Sequence, residues 1–434
     1  MVQQNQNKAL FHLYFLGVGL FFVWLILGFE NLSIYKNNWL LHDDVGSDLI
    51  IWLYFKNDIP FSAVYFTSII RDAKGRKMSK SLGNSPDALE LFDEYGVDAV
   101  RISILMISPQ GTDVLFSVDR LEQGRNFMNK LWNCSRFLLM NIEDSKSIKN
   151  IENINPNLFE TIDIWILSKL NKTISEVNKH LEGYKLNEAV KTMYNFIWKD
   201  YCDWYIEFAK IRIYGSNEEE RECVISTSVH VLKNILKLLH PYTPFITEEI
   251  WSYFSNEKSN FIINTIWPLE NKQMINSKTE KEMSFVMSII TAIRNMKSEL
   301  NISPKKEINL VCRGGNSKTS IIMNNKKYFN NLAKADKVNC AESIDKPDKS
   351  STLVIDGVEI FTPLANLIDV DKEIIRLEDK INDYKGRMNS VKKKIDNKNF
   401  IKRAPKQIVQ HEKDKYLDYK NNFDKLKNNL DNLL

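Results

Sequence analysis

The sequence predicts a mainly α protein: a helical bundle, then a small α/β unit, then a C-terminal antiparallel coiled coil, all preceded by a strand–loop–helix segment. Three observations carry this. Apolar residues recur at three- and four-residue spacing from about 160 to 255. Short β-branched runs replace that period between 300 and 366. Two heptad tracts then fill most of 374–433.

Residues 1–60 hold an apolar run of 21 residues, Ala9 to Phe29, broken only by His12. By length alone it is a candidate membrane span, since about 20 apolar residues cross a bilayer. Ala63 to Ile70 reads as a buried strand. Arg71 to Asn84 is polar, lysine-rich and bracketed by Gly75 and Gly83, which makes it a loop able to hinge. Pro86 to Tyr95 follows as a helix, with Asp87 placed in its first turn to suit the dipole.

The helical pattern is densest where Leu186, Ala189, Val190, Met193, Tyr194 and Ile197 share a face, and it continues through Trp204, Tyr205 and Phe208. Another helix ends near His240, and Thr243-Pro244 starts the next, Thr as N-cap and Pro at the first position. Long helices joined by short polar turns make a bundle. A helix over 281–300 and strand-like runs at Ile308–Cys312 and Leu353–Phe361 define the small α/β unit.

In the tail, Ile374, Leu377, Ile381, Tyr384, Met388, Val391 and Ile395 alternate spacings of three and four, as do Tyr416, Tyr419, Phe423, Leu426, Leu430 and Leu433. Pro405 stops one continuous helix, so the chain reverses between the tracts. Residues 371–434 carry 17 Lys/Arg against 11 Asp/Glu, an excess larger than the +4 of the whole chain. A basic elongated tail on a near-neutral body points to a polyanion, although a solvated helix surface has the same charge pattern. The five cysteines, at 134, 202, 223, 312 and 340, form no C-x-x-C pair, so neither a zinc site nor a disulfide framework is indicated, and a reducing cytoplasmic setting fits.

One motif carries chemistry: Lys77-Met78-Ser79-Lys80-Ser81, followed by Leu82-Gly83-Asn84, between a strand and a helix. Two lysines three apart on a small-residue loop can both reach one polyphosphate, and cations placed where negative charge develops stabilise the transition state of phosphoryl chemistry. A bare K-x-x-K is common on surfaces; the whole string in this context is far more specific.

RKMSKSLGN resembles the second ATP-binding motif of class I aminoacyl-tRNA synthetases, and DALELFDEYGVDAVRISIL resembles the helix after it in the valyl, isoleucyl and leucyl subgroup. The runs Gly124 to Asn133 with Arg136-Phe137, Trp198 to Glu207, and Phe400 to Pro405 (FIKRAP) are similar specifically to valyl-tRNA synthetases. The resemblance covers about residues 60–434. It implies the end of a Rossmann-like α/β catalytic domain with its connecting region at 61–157. An anticodon-binding helical bundle follows at 158–280, a junction domain at 281–366 and a tRNA-binding arm at 367–434. It further implies ATP-dependent activation of valine, with magnesium accompanying ATP, and transfer of the valyl group to tRNA-Val by a cytoplasmic monomer. Lys80 is similar to the lysine that contacts ATP phosphates; Lys77 assists, and Met78, Ser79 and Ser81 complete the loop. Lys398, Lys402, Arg403 and Lys406 are the expected tRNA contacts at the arm's tip. Trp198, Trp204 and Tyr205 read as core rather than as base-stacking surfaces.

The sequence departs from the family in two places. Its six histidines, at 12, 42, 180, 230, 240 and 411, include no H-x-G-H spacing, the family's other ATP motif, and no editing domain is recognisable. Residues 1–60 match poorly beyond Ser47–Ile51 and Ile59–Phe61. Three readings of that segment compete: a membrane helix, divergent catalytic core, or translation in a shifted frame, which the poor match favours. Rival functions are an isoleucyl or leucyl enzyme, a non-catalytic tRNA-binding protein and a membrane-anchored protein. The missing C-terminal cysteine cluster argues against the isoleucyl enzyme, and the coiled-coil tail against both the isoleucyl and the leucyl.

Overall fold

The computed structural model describes residues 68–108, 113–142, 148–254, 261–365, 367–368, 370–397, 400 and 405–433. The apolar run at 9–29 and most of the expected strand at 63–70 lie outside them. Among the described residues no helix is long and apolar enough to cross a membrane. The chain is mostly helical with a small mixed sheet, and it divides into two compact units, Met1–Thr279 and Glu280–Leu434.

The first unit opens with β1 (Ile70–Arg71), paired in parallel with β2 (Val114–Leu115). Between them lie α1 (Ala88–Tyr95) and α2 (Val97–Ile107). Helix α1 starts two residues later than its sequence suggests. Asp87 is its N-cap rather than a first-turn residue, accepting the Leu89 N–H at 2.8 Å. Next come α3 (Asp119–Ile142) and α4 (Thr161–Glu182). Helix α5 (Leu186–Asn195) runs without a break into a π-wound stretch, Phe196–Tyr205, and on into α6 (Ile206–Ile213). The sequence carried no sign of the wider winding.

Helix α7 (Glu218–Leu239) is the buried centre of the unit. Asn217 caps it, accepting the Glu219 and Glu220 N–H groups at 3.1 and 3.3 Å, and three glutamates fill its first turn. Its Thr227 and Ser228 hydroxyls donate to carbonyls four residues back, so they can sit in the core without orphaned donors. Around it Phe127, Leu131, Trp165, Tyr201, Tyr205 and Phe208 are fully buried.

Helix α8 (Pro244–Ser252) begins at the expected Thr243-Pro244, but Thr243 does not cap it with its side chain. The Thr243 hydroxyl donates back to Leu239 O at 3.3 Å, and Asp98 of α2 accepts the Ile246 N–H at 2.7 Å instead. A carboxylate from a distant helix is the better acceptor for those exposed donors.

A close approach holds α2 on α3: a Cβ on Gly124 would lie 2.3 Å from the Ala99 carbonyl oxygen, so only glycine fits. The most constrained polar cluster is buried. Arg212 pairs with Asp163, donates to Leu158 O at 3.0 Å and lies 3.5 Å from Glu160. Tyr205 donates to Asp163 at 3.0 Å. Burial opposes charge on Arg212, but the two carboxylates hold it protonated above its usual value.

In the second unit, α9 (Ser277–Glu299) precedes a four-stranded sheet ordered β4-β3-β6-β5. Strand β3 (Ile308–Arg313) runs parallel to β4 (Ala335–Ala341), with α10 (Asn316–Asn324) in the crossover. The run Leu353–Phe361 is not one strand. It is a hairpin of β5 (Ser350–Ile355) and β6 (Val358–Pro363), turned at Asp356-Gly357 with φ of 49° and 79°. Asp-Gly is a favoured pair for such two-residue turns. Strand β4 adds a strand between the two runs read from the sequence. Lys297 is buried, donating to Lys306 O at 2.6 Å and Ala333 O at 2.9 Å, and burial lowers its pKa.

The unit ends in α11 (Val370–Asp396) and α12 (Lys406–Leu433). Tyr384 meets Tyr419 edge to face at 5.9 Å, and Lys394 pairs with Glu412 at 3.5 Å. Moving forward along one helix moves backward along the other, so the two run antiparallel. Leu377 and Val391 are fully buried, and the other described seam residues are half-buried.

Two outcomes follow from the first unit's core. Arg212→Met strands the Asp163 carboxylate in apolar surroundings and should cost about 3–5 kcal/mol; a denaturant midpoint equal to wild type would contradict this. His230 is held neutral by burial, helped by Lys237 and Lys233, with its pKa down at about 4. The unfolded chain takes up that proton near pH 6.5, so stability is lost as pH falls from about 6.5 to about 4. The loss is on the order of 3 kcal/mol. His230→Gln should flatten that part of the melting-temperature profile, and an unchanged slope would refute the assignment.

Candidate functional site

The lysine loop leaves β1 at Arg71 and is shaped almost wholly by polar contacts. Arg71 forms an ion pair with Asp113 and an antiparallel bridge with Lys77. Asp72 closes the first turn: its N–H donates to Arg76 O, and its carbonyl accepts the Gly75 N–H, both at 2.9 Å. The Asp72 carboxylate accepts from Lys74 N at 3.0 Å, Arg76 N at 2.8 Å, Arg76 Nε at 2.8 Å and Asn84 Nδ2 at 2.9 Å. Those donors, Asn84 foremost, hold its pKa far below the ordinary carboxylate range.

Asn84 also accepts the Ser79 N–H at 2.9 Å and donates to Lys77 O at 3.1 Å. Lys80–Leu82 forms a 3₁₀ turn with Ser79 as N-cap and Gly83 in the left-handed region at φ 61°. The Ser79 and Ser81 hydroxyls lie 2.6 Å apart. Met78 and Ser79 are half-buried, whereas Lys77, Lys80 and Ser81 are exposed. The five residues singled out by the sequence lie together in this loop, with Lys77 and Lys80 exposed. Arg76 pairs with the loop's Asp72 carboxylate at 2.7 Å.

Helix α2, downstream of the loop, is fastened to the helical body. Arg101 donates to Tyr242 O at 3.0 Å and Pro241 O at 3.2 Å. Asn187 donates to the carbonyls of Leu105 and Met106 at 2.9 and 2.6 Å. None of Asp72, Asp98, Arg101 and Asn187 was singled out from the sequence. Only Asp72 left a local signal, as an Asp able to bond backbone N–H groups two and four residues on; the others act across long separations.

The runs Gly124–Asn133 and Trp198–Glu207 meet each other. Lys130 pairs with Asp203 and lies 4.1 Å above the Trp198 ring. Phe127 lies 4.9 Å from Tyr194, which stacks on Trp198 at 5.5 Å, and Trp204 stacks on Phe208 at 5.6 Å. Tyr205 is wholly buried. Phe127 joins α3 to the long α5–α6 helix, whereas the other two stacks lie along that helix, where Trp198 and Trp204 are half-buried.

Of the expected tip residues, Lys398, Lys402 and Arg403 lie outside the described residues, and Lys406 is the first residue of α12. Among the described residues no group of three His, Cys, Asp or Glu side chains could hold a metal ion.

Three family models match in succession. One described as tRNA synthetases class I (I, L, M and V) matches residues 44–117, beginning inside the segment that read as unmatched. One described as the anticodon-binding domain of tRNA ligase matches 163–312, and one described as the valyl tRNA synthetase tRNA binding arm matches 369–434. A valine–tRNA ligase of Oceanobacillus iheyensis is 38% identical over 381 residues, covering 87% of this chain and 43% of the relative. One of Listeria innocua is 39% identical over 366 residues, covering 84% and 41%. One of Clostridium perfringens is 38% identical over 364 residues, covering 84% and 41%. The chain thus spans about two-fifths of the length of these relatives. A solved LeuRS–tRNA–LeuAMS complex from Agrobacterium radiobacter aligns over 60% of this chain and 33% of its own. Its TM-score is 0.42 at 20% identity, too loose to carry an argument. The chain is thus similar in succession to class I tRNA synthetases, to their anticodon-binding domain and to the valyl tRNA-binding arm, and over most of its own length to valine–tRNA ligases.

Proposed function

We propose that this chain is the tRNA-holding portion of a valine–tRNA ligase, together with one side of its ATP site. The observation that supports this most is the succession of a class I synthetase match, an anticodon-binding match and a valyl arm match along one chain. In this reading 61–157 is the end of a Rossmann-like catalytic domain with its connecting region, and 158–280 is a helical bundle that receives the anticodon. Residues 281–366 form a junction, and 367–434 a coiled-coil arm. The enzyme acts as a cytoplasmic monomer on valine, ATP and tRNA-Val.

Lys80, assisted by Lys77, meets the ATP phosphates. Their ammonium groups stabilise charge that builds on the phosphates as valine's carboxylate attacks and pyrophosphate leaves. Met78, Ser79 and Ser81 give the loop the shape that sets both lysines on one side. Magnesium enters with the nucleotide. The valyl group then passes to the 3′ end of the tRNA, held by the bundle and by the arm, whose tip carries Lys398, Lys402, Arg403 and Lys406.

The whole chain should bind tRNA with an affinity that falls steeply with salt, because phosphate contacts release counterions. Removing 370–434 should weaken binding and flatten the salt slope while leaving the first unit's melting unchanged; a flat response in the intact chain would overturn the reading. With the rest of the catalytic domain supplied, Lys80→Ala should slow adenylate formation by about 100-fold, the scale for one lost transition-state contact. An unchanged single-turnover rate would refute the role given to Lys80.

A further inference from the structure

We propose that Asp72 and Asn84 form a latch that holds the lysine loop in its closed shape, which makes both of them positioning residues for Lys77 and Lys80. The inference rests on the reading of those lysines as ATP-phosphate contacts.

Almost no packing holds this loop. Its 3₁₀ turn contains no buried residue, Gly75 and Gly83 have positive φ, and a Cβ at either glycine would meet nothing within 4 Å. Its shape must come from polar contacts, and these converge on two side chains. Asn84 uses its whole amide: Oδ1 takes the Ser79 N–H, while Nδ2 serves both Lys77 O and the Asp72 carboxylate. These contacts clamp the backbone on either side of Met78. The clamp thus fixes the residue carrying one expected phosphate contact and the residue preceding the other. Asp72, buried beneath the loop, ties the far end, because the carboxylate that accepts from Asn84 also accepts from the Lys74 and Arg76 backbone.

The amide–carboxylate bond spans twelve residues, so breaking it frees both ends at once. The chain can then pivot at the two glycines. Asp72 also pairs with Arg76, which ties the same carboxylate to the first turn of the loop.

The test uses hydrogen exchange at the Ser79 and Arg76 amides of the whole chain, with Asn84→Ala, Asn84→Asp and Lys80→Ala. Asn84→Ala should speed Ser79 exchange by about tenfold or more, as expected for losing several hydrogen bonds together. Asn84→Asp should do the same at pH 7, where two carboxylates repel. Below about pH 5 a shared proton restores a donor, and protection should return after correction for intrinsic rates. That acid rescue is not expected of a variant that merely misfolds. Lys80→Ala should leave Ser79 protected.

With the catalytic domain completed, Asn84→Ala should lower kcat for adenylate formation about tenfold and leave the KM for ATP nearly unchanged, the pattern of a contact felt in the transition state. Unchanged Ser79 exchange in Asn84→Ala would overturn the latch. A loosened loop with unchanged kcat would overturn its positioning role. An inert Lys80→Ala would instead sink the ATP reading while leaving the exchange result standing.

Discussion

The buried pair of Arg212 and Asp163 is the constraint around which the helical body is arranged. Two charges removed from water are tolerated only where nearly every donor and acceptor is answered. Here the answers come from four segments: the turn at Leu158, the start of α4 at Glu160 and Asp163, the end of the π-wound stretch at Tyr205, and α6. Each must arrive in one place for the pair to form, which fixes the direction of the long α5–α6 helix. Tyr201, one turn earlier, donates to Ser228 O at 2.8 Å and binds the same helix to the central α7. Asp98 and Arg101 then fasten α2, and with it the segment that follows the lysine loop, to α8 and the turn that precedes it.

How much of this was legible depended on the range of the interaction. The two long helices α11 and α12 could be read directly, because their apolar period is local and Pro405 stops a continuous helix. Tyr384 meets Tyr419 between them. The lysine loop was legible as a string. The Thr243-Pro244 start was placed correctly but for the wrong acceptor, since Asp98 lies 148 residues from Ile246 in sequence. The split of Leu353–Phe361 is signalled at Asp356-Gly357, a pair masked by the β-formers Leu353–Ile355 and Ile360–Phe361 around it. The π winding left no local trace; Tyr201 and Tyr205 within it are buried against partners far along the chain.

The runs that carried the family resemblance have two physical characters. Gly124, Lys130 and Trp198 specify close helix packing; the glycine admits the α2 backbone, and the lysine bridges Trp198 and Asp203. Their specificity for the family is that of a scaffold. The lysine loop is the opposite case: exposed, weakly packed and held by an amide and a carboxylate, so it can change shape at little cost to the body behind it.

Holding the tRNA of a valine–tRNA ligase is the role proposed for this chain. Equilibrium competition at fixed salt, with valine-, isoleucine- and leucine-accepting tRNA transcripts displacing a labelled valine-accepting tRNA from the whole chain, tests it most directly. The valine-accepting transcript should compete at least about tenfold better than the other two, a difference of about 1.4 kcal/mol. Equal competition by all three would contradict it.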